Sequence, residues 1–186
     1  MIRIALLLCA PLLAFAHPAI EARVNDLNIA IDKAPHIPEL YLLRGQIYAN
    51  HGDRRRAKQD LESALSIKKN TDVLVALGYL YLSEEDDAIA RDYFSEALSM
   101  DPRAPEAWLG QAKASAKLGQ LELVLTSYQQ YFSLAKNAQP GHYAAAIRTI
   151  AAQDRAEAQR ILENGLDRLG PIPTLMELAL QLEFDL

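Results

Sequence analysis

An internal repeat with a period of about 33 residues restricts the fold of this chain more than any other feature of its sequence. One constant offset superposes similar residues at six positions: Gly45 on Gly78, Tyr48 on Tyr81, Ala57 on Ala90, Leu61 on Phe94, Ala64 on Ala97 and Leu65 on Leu98. A second, slightly longer offset carries Phe94 onto Tyr128 and gives a third, more divergent copy. Because periods of this length are typical of stacked helical hairpins, the repeat predicts an all-α solenoid.

Small residues recur at matching places of the two helices in each copy, which predicts close packing of their backbones. We expect Gly45, Gly78 and Ala112 on the first helices to face Ala57, Ala90 and Val124 on the second helices. The aromatic and leucine positions of the repeat recur at helical spacing. They therefore predict the core between neighbouring hairpins.

The pattern resembles the tetratricopeptide repeat (TPR), in which an aromatic residue, Leu-Gly and Tyr precede a second helix marked by Ala, Phe, Ala and a closing Pro. The second copy matches this pattern at Leu77, Gly78, Tyr81, Ala90, Phe94, Ala97 and Pro102. In the third copy Val124 and Tyr131 replace the usual small residues. The resemblance implies a right-handed superhelical solenoid of TPR helix-turn-helix hairpins.

Extending the register of the repeat divides the whole chain into five parts. These are a signal peptide at 1–16, an N-terminal capping helix at 17–36, three TPR repeats at 37–138, a degenerate fourth repeat at 139–172 and an unpaired C-terminal helix at 173–186. No linker or second domain is evident between these parts.

The last helix is unusually apolar for the end of a solenoid, where the outer face is normally polar. We expect it to pack on the fourth hairpin through Met176, Ala179 and Leu180. That arrangement leaves an apolar stripe of Leu175, Leu178, Leu182 and Phe184. Uncovered apolar stripes usually mark contact sites. We therefore expect this helix to dock against another chain, with self-association as one form of such docking, or to belong to a longer repeat array; the alternative is a helix fully buried on its own chain.

The first sixteen residues have the properties of a cleavable secretory signal. Arg3 is their only charge, and the apolar run 4–13 is too short to span a bilayer as a helix. The run is followed by Ala14 and Ala16, small residues at the two positions that signal peptidase requires. We therefore expect cleavage after Ala16 and a periplasmic or secreted protein, the alternative being an apolar first helix of the fold.

Charge and cysteine content limit the partners of the mature chain. The full sequence has a net charge of −5, and removal of the signal makes it −6. This charge disfavours nucleic acid and anionic lipid surfaces, and we expect no membrane insertion of the mature chain. Cys9, the single cysteine, lies in the signal, which excludes a disulfide in the mature protein. A lipid anchor on Cys9 is disfavoured because the apolar run continues past it.

The sequence shows no motif that predicts catalysis, a metal site or a cofactor. Its histidines are not paired at the spacing of a zinc site, and no nucleophile motif or phosphate-binding loop is present. We therefore predict a protein that is not an enzyme. One minor alternative is copper binding by His17, which would become the N-terminal residue after cleavage.

The resemblance places a partner-binding groove on the concave side, lined by the first helix of each repeat. Its predicted lining consists of Leu42, Gln46, Val75, Tyr79, Leu82, Leu109, Lys113, Tyr143 and Ile147. This mixture suits an extended peptide or an amphipathic helix, and it predicts a protein or peptide partner. The carboxylate clamp of chaperone-binding TPR domains is absent. The predicted function is an adaptor or assembly factor, with a structural subunit that self-associates through its repeats as the alternative.

Overall fold

The computed structural model describes residues 18–184, which form ten α-helices joined by short turns, without any β-strand in that range. The helices are α1 (Pro18–Lys33), α2 (Pro38–Asn50), α3 (Arg54–Ile67), α4 (Thr71–Ser83), α5 (Asp87–Met100), α6 (Pro105–Lys117), α7 (Leu121–Leu134), α8 (Pro140–Ile150), α9 (Arg155–Leu169) and α10 (Pro173–Phe184). The predicted signal at 1–16 and His17 lie outside this range. Within it, every helix is too short or too polar to cross a bilayer.

The helices pair into four antiparallel hairpins that stack in chain order. The hairpins are α2 with α3, α4 with α5, α6 with α7 and α8 with α9. Helix α1 packs on α2, and α10 packs on α8 and α9. The first helix α4 also contacts the first helices on either side of it, α2 and α6, and in a helical solenoid such a row lines the concave surface.

The turn inside each of the first three hairpins contains one residue in the left-handed conformation. Gly52 and Gly119 have φ of 78° and 69°, and Glu85 occupies the same place with φ of 65°. Glycine adopts this conformation without a steric penalty, whereas a residue with a side chain does not. The second hairpin therefore has a less favourable turn than its two neighbours.

Glycines from two hairpins lie against the Phe94 ring, which is fully buried. A Cβ atom added to Gly78 of α4 would lie 2.6 Å from Phe94 Cε1, and one added to Gly110 of α6 would lie closer still. Phe94 is the nearest side chain to Gly78, and the expected packing of Gly78 against Ala90 stays a prediction. Leu61 is likewise the nearest neighbour of Gly45. Glycine on two first helices makes room for one aromatic ring.

A polar bridge joins α1, α2 and α3. The Arg44 guanidinium donates to Asp60 through Nε at 2.8 Å and through Nη2 at 2.6 Å, and its Nη1 donates to Asn28 Oδ1 at 2.7 Å. Asp60 is buried, and hydrogen bonding to its carboxylate raises the pKa of Arg44. Because the ion pair is bidentate and largely shielded from water, it fixes the register of the three helices.

Gln111 forms a similar bridge between α5, α6 and α7. Its Nε2 donates to Ser95 Oγ at 2.9 Å, and its Oε1 accepts from Ser127 Oγ at 3.0 Å. Gln111 and Ser127 are both buried. Both ends of the amide are therefore satisfied, and the third hairpin is tied to the second.

The junction between α7 and α8 is filled by aromatic rings. The Phe132 ring stacks on Tyr143 with centroids 4.3 Å apart and on Tyr128 with centroids 6.0 Å apart. Counted in residues, the interval between the starts of the first helices α6 and α8 is longer than the interval between the starts of the second helices α7 and α9. In the earlier hairpins, the intervals of the first and second helices are equal. The fourth hairpin thus departs from the period at α8, where the large rings lie.

Arg168 of α9 connects the fourth hairpin to the C-terminal end of α7. Its guanidinium donates to the carbonyl oxygens of Phe132 at 2.8 Å, Ala135 at 2.5 Å and Lys136 at 3.1 Å. The last carbonyl groups of a helix have no partner within the helix and carry a partial negative charge. The cation therefore stabilises the end of a helix from another hairpin.

The packing of α10 contradicts the sequence-based prediction. Leu175, Leu178 and Leu182 are buried against the fourth hairpin, whereas Met176 is 45% exposed and Leu180 is 53% exposed. The side chain of Phe184 lies outside the described residues. The expected orientation was wrong, since the residues at spacings of three and four along one side of α10 pack inward. An exposed apolar surface remains, but Met176 and Leu180 form it.

Candidate functional site

Four polar and aromatic residues of the first helices and the buried Tyr131 of α7 form a group that we name the groove cluster: Tyr79, Glu106, Lys113, Tyr131 and His142. At its centre, the Lys113 Nζ atom lies 5.5 Å from the centroid of the Tyr79 ring. The Tyr79 hydroxyl donates to the Glu106 carbonyl oxygen at 3.1 Å. The Tyr79 ring also contacts the Phe94 ring edge to face, with centroids 5.1 Å apart. Tyr79 is therefore fixed by contacts on two sides.

Lys113 is a partly desolvated cation. Burial lowers the pKa of its ammonium group, and the Glu106 carboxylate opposes that shift. Among the residues that the structure describes, no carboxylate forms an ion pair with Lys113. A half-buried ammonium group has lost part of its hydration, so it gains more from a new acceptor than a fully solvated lysine does.

Burial raises the pKa of the Tyr79 hydroxyl far above its usual value, with a smaller contribution from Glu106. The hydroxyl therefore stays protonated at physiological pH and acts as a hydrogen-bond donor. Its hydrogen bond holds the ring beside the first turn of α6.

His142 lies at the first turn of α8 and is held by two donors. The Tyr131 hydroxyl is 2.5 Å from His142 Nδ1, and the Gln139 backbone N–H donates to the same atom at 3.4 Å. A backbone N–H can only donate, so Nδ1 accepts and the neutral ring carries its proton on Nε2. Burial and then the charge of Lys113 lower the pKa of His142, and Glu106 opposes them.

An apolar wall and a polar rim complete the groove. Val75 and Leu82 are half-buried beside Phe94, while Gln46 and Glu106 are exposed. An aromatic face, an ammonium group and an imidazole therefore lie between apolar and polar surfaces. This combination offers contacts for apolar side chains and donors for main-chain carbonyl groups.

Four of the predicted groove residues are buried inside the protein. Leu42 is 8% exposed, Leu109 2%, Ile147 1% and Tyr143 0%. Leu42 packs on the core between the first two hairpins, and the other three pack in the core of the last two. Their prediction as partner contacts is corrected, because these positions point between hairpins. Gln46, Val75, Tyr79, Leu82 and Lys113 stay predictions.

Sequence reasoning missed two members of the groove cluster. Tyr131 was noted only as a departure from the repeat pattern, and His142 only as one of the histidines without the spacing of a zinc site. The Gln139 side chain accepts from the His142 backbone N–H in a capping box, so a polar pair three residues apart around Pro140 was an available signal. The hydrogen bond between Tyr131 and His142 depends on the rotation of α8 against α7, which the sequence does not reveal.

Metal ligands do not converge in the structure between residues 18 and 184. No group of three or more His, Cys, Asp or Glu side chains in that range is arranged to hold a metal ion. His17, considered above for copper, is outside it.

The fold and the groove define the class of this protein, and comparisons with known proteins agree. Two models of the tetratricopeptide repeat match residues 71–114 and 38–71. The predicted fold, a right-handed superhelical solenoid of TPR hairpins, is confirmed, and TPR repeats are recognised in the chain. A TPR solenoid of this kind is a scaffold for contacts between proteins.

A curated protein with a similar sequence is a distant relative. Cellulose synthase 1 operon protein C of Komagataeibacter xylinus is 29% identical over 120 residues, which cover 59% of this chain and 9% of that protein. The chain therefore spans less than a tenth of that relative's length.

Two solved structures share the fold at low sequence identity. YrrB, described as a TPR protein with an unusual peptide-binding site, superposes with a TM-score of 0.66 at 19% identity, over 86% of this chain and 82% of its own. PilF of Pseudomonas aeruginosa superposes with a TM-score of 0.69 at 16% identity, over 84% and 72%. At these identities the likeness concerns the fold alone.

Proposed function

We propose that this protein is an exported adaptor that binds an extended segment of a partner protein across the groove cluster. The observation that carries the proposal is the position of Lys113. Its ammonium group is partly desolvated and lacks a carboxylate partner among the described residues, and it lies beside the fixed ring of Tyr79. A peptide carbonyl or acidic side chain supplies the missing acceptor, and Tyr79 offers a flat apolar contact.

The apolar wall and His142 extend this surface along the groove. Val75 and Leu82 lie on the same helix as Tyr79, and His142 lies on α8. A segment that contacts both ends touches three successive first helices. The name of the curated relative refers to an operon, which supports an adaptor that works beside proteins expressed with it.

A displayed random-peptide library tests the groove directly. We expect selection on the full mature chain to yield peptides whose binding to Lys113→Met, measured by calorimetry, is about tenfold weaker, because the methionine keeps the stem and removes the charge. Amide chemical shifts that change on peptide addition should belong to α4, α6 and α8.

The matched control is Lys68→Met, which removes the same charge from the exposed end of α3. Peptide binding by this variant should equal that of the wild type. If both variants lost peptide binding equally, the effect would be due to net charge. If both retained it, the binding surface would lie away from Lys113.

Export is proposed on the properties of residues 1–16, which the structure does not describe. Expression in a Gram-negative host should yield a mature protein that begins at His17 in the periplasmic fraction. An intact Met1 on cytoplasmic protein contradicts this part of the proposal, whatever the result of the peptide experiment.

Binding without catalysis is also proposed. The Tyr131 hydroxyl and Nδ1 of His142 are committed to each other, and the Tyr79 hydroxyl is committed to the Glu106 carbonyl. These groups hold the groove in place. Although the Tyr131 hydroxyl lies beside a basic nitrogen, Tyr131 is only 2% exposed, which disfavours its use as a nucleophile. Turnover of generic ester, phosphate or peptide substrates that disappears in Lys113→Met would overturn this view.

A further inference from the structure

A large cleft lies at the N-terminal end of the described residues, outside the groove. It opens between α1 and the turn from α2 to α3 and has a volume of about 1010 Å³. Ile20 and Val24 of α1 and Ile47 of α2 are half-buried along its wall, so the cleft is partly apolar. A helix with its side chains is about 10 to 12 Å across, so a cleft of this volume accepts one helix face.

The rim of the cleft is basic. Arg54 and Arg55 are exposed and form no ion pair with described residues, whereas Arg56 pairs with Asp53 at 2.5 Å. Glu21 is the remaining acidic residue of the lining. Because Arg56 and Asp53 neutralise each other, the lining keeps two positive charges, on Arg54 and Arg55, and one negative charge, on Glu21. The cleft therefore favours an apolar helix face flanked by acids.

Helix α10 presents such a face at the other end of the solenoid. Met176 and Leu180 are 45% and 53% exposed one turn apart, and the exposed acids Glu177 and Glu183 lie beside them. No basic residue occurs from 173 to 184. The exposed side of α10 thus matches the cleft in both apolar character and charge.

We propose that α10 of one molecule docks in the N-terminal cleft of a second copy. Three hairpins separate α10 from the cleft of its own chain, so the contact joins two molecules. The two surfaces are different, which makes the contact heterologous, and successive molecules add head to tail. This inference goes beyond the proposed peptide binding, because the groove cluster takes no part in it.

Two charge-reversal variants of the full mature chain test the contact. The cleft variant is Arg54→Glu with Arg55→Glu, and the helix variant is Glu177→Lys with Glu183→Lys. In sedimentation velocity experiments from about 10 µM to about 1 mM, we expect wild-type species to grow beyond the dimer as concentration rises. Each variant alone should associate at least about tenfold more weakly.

A mixture of the two variants gives the sharpest result. The acidic α10 of the cleft variant fits the basic cleft of the helix variant, and the basic α10 of the helix variant fits the acidic cleft of the cleft variant. An equimolar mixture should therefore associate again, with the two variants alternating. The chain with all four substitutions should associate again, since both charge signs are exchanged. Arg103→Glu with Lys136→Glu, at exposed positions outside both surfaces, controls for the change in net charge.

Three outcomes overturn the proposal. They are a wild type that stays monomeric at the highest concentration, a cleft variant that associates like the wild type, and a mixture that remains two monomers. If the cleft variant loses helical content by circular dichroism, Leu180→Glu replaces it as the test. Leu180 is half exposed, so the substitution leaves the core intact and should abolish growth. Continued growth of a folded Leu180→Glu protein rejects the contact.

Discussion

The two halves of this molecule hold their helices together by different means. From α2 to α7, glycine on first helices receives a ring from a second helix, and buried polar bridges tie neighbouring helices. From α7 to α10, stacked aromatic rings fill the junction between α7 and α8, and buried leucines of α10 pack this last helix on the fourth hairpin. Among the first three hairpins, the two helices of each hairpin are displaced along the sequence by the same interval from those of the hairpin before. At the junction filled by large rings, the interval to α8 is longer than the interval to α9.

The groove cluster lies where these two halves meet. Tyr79 and Lys113 belong to the regular repeats, and His142 belongs to the irregular hairpin. Its geometry therefore depends on how α8 is placed against α7, and not on any single repeat. A binding surface built in this way is specific to the protein, even though the repeats that support it are common to many.

The largest effect that separates the halves should come from glycine substitution. Gly110→Ala forces a methyl group into the Phe94 ring, and we expect a loss of about 3 kcal/mol in the free energy of unfolding, at the upper end of the range for overpacking. In the C-terminal half a Cβ atom at Gly165 would lie 3.0 Å from Tyr143 Cδ1, so Gly165→Ala should lose only about 1 kcal/mol. Urea unfolding followed by circular dichroism measures both.

Gly141→Ala is the control for this comparison. No atom lies within 4 Å of a Cβ atom added at Gly141, so alanine there should be neutral or stabilise α8 by up to about 1 kcal/mol. Equal losses for Gly110→Ala and Gly165→Ala would mean that the two halves do not differ in backbone spacing.

A second test removes the polar bridge of the N-terminal half. Arg44→Met leaves the buried Asp60 carboxylate without its cation, and we expect a loss of about 2 kcal/mol, reduced from the value for a fully buried pair because Arg44 is partly exposed. The double variant with Asp60→Leu should recover part of the loss in the same unfolding experiment. No recovery would show that the bridge acts through packing of the arginine stem alone.

A smaller effect is expected where Arg168 joins the two halves. Arg168→Met removes three hydrogen bonds to the end of α7, and because the side chain is exposed we expect a loss of about 1 kcal/mol. Hydrogen exchange should become faster in the last turn of α7 and in α9, while α2 to α5 keep their protection. Uniform acceleration along the chain would contradict a local role.

The smallest effect concerns pH. Burial of His142 lowers its pKa in the folded state below the ordinary value of 6.5, so the unfolded chain takes up more protons as pH falls below that value. The contribution of His142 to stability is therefore complete above pH 6.5 and decreases in acid. Between about pH 8 and about pH 5 the wild type should lose slightly more stability than His142→Gln, by less than about 1 kcal/mol. If His142→Gln loses more stability than the wild type over this range, the sign of the effect is opposite to the expected one. That result rejects the assignment of a neutral, hydrogen-bonded ring.

The sequence predicted the hairpins because recurring small and aromatic residues determine which helices pack together. It predicted the lining of the groove less well, because the burial of a residue such as Leu42 or Leu109 depends on the rotation of its helix. Helix α10 illustrates the limit. Met176 with Leu180, and Leu175 with Leu178 and Leu182, form two competing apolar sides at helical spacing, and only contact with α8 and α9 selects between them.

The guanidinium of Arg168 also limits how this protein can be recombined. Repeat proteins are attractive for engineering because their repeats can be separated and joined at the turns between them. A cut between α7 and α8 separates Arg168 from the three carbonyl groups that it binds, so a transplanted array that ends at α7 loses its terminal cap. The smallest transferable piece that contains the third repeat therefore extends to Leu169, the last residue of α9.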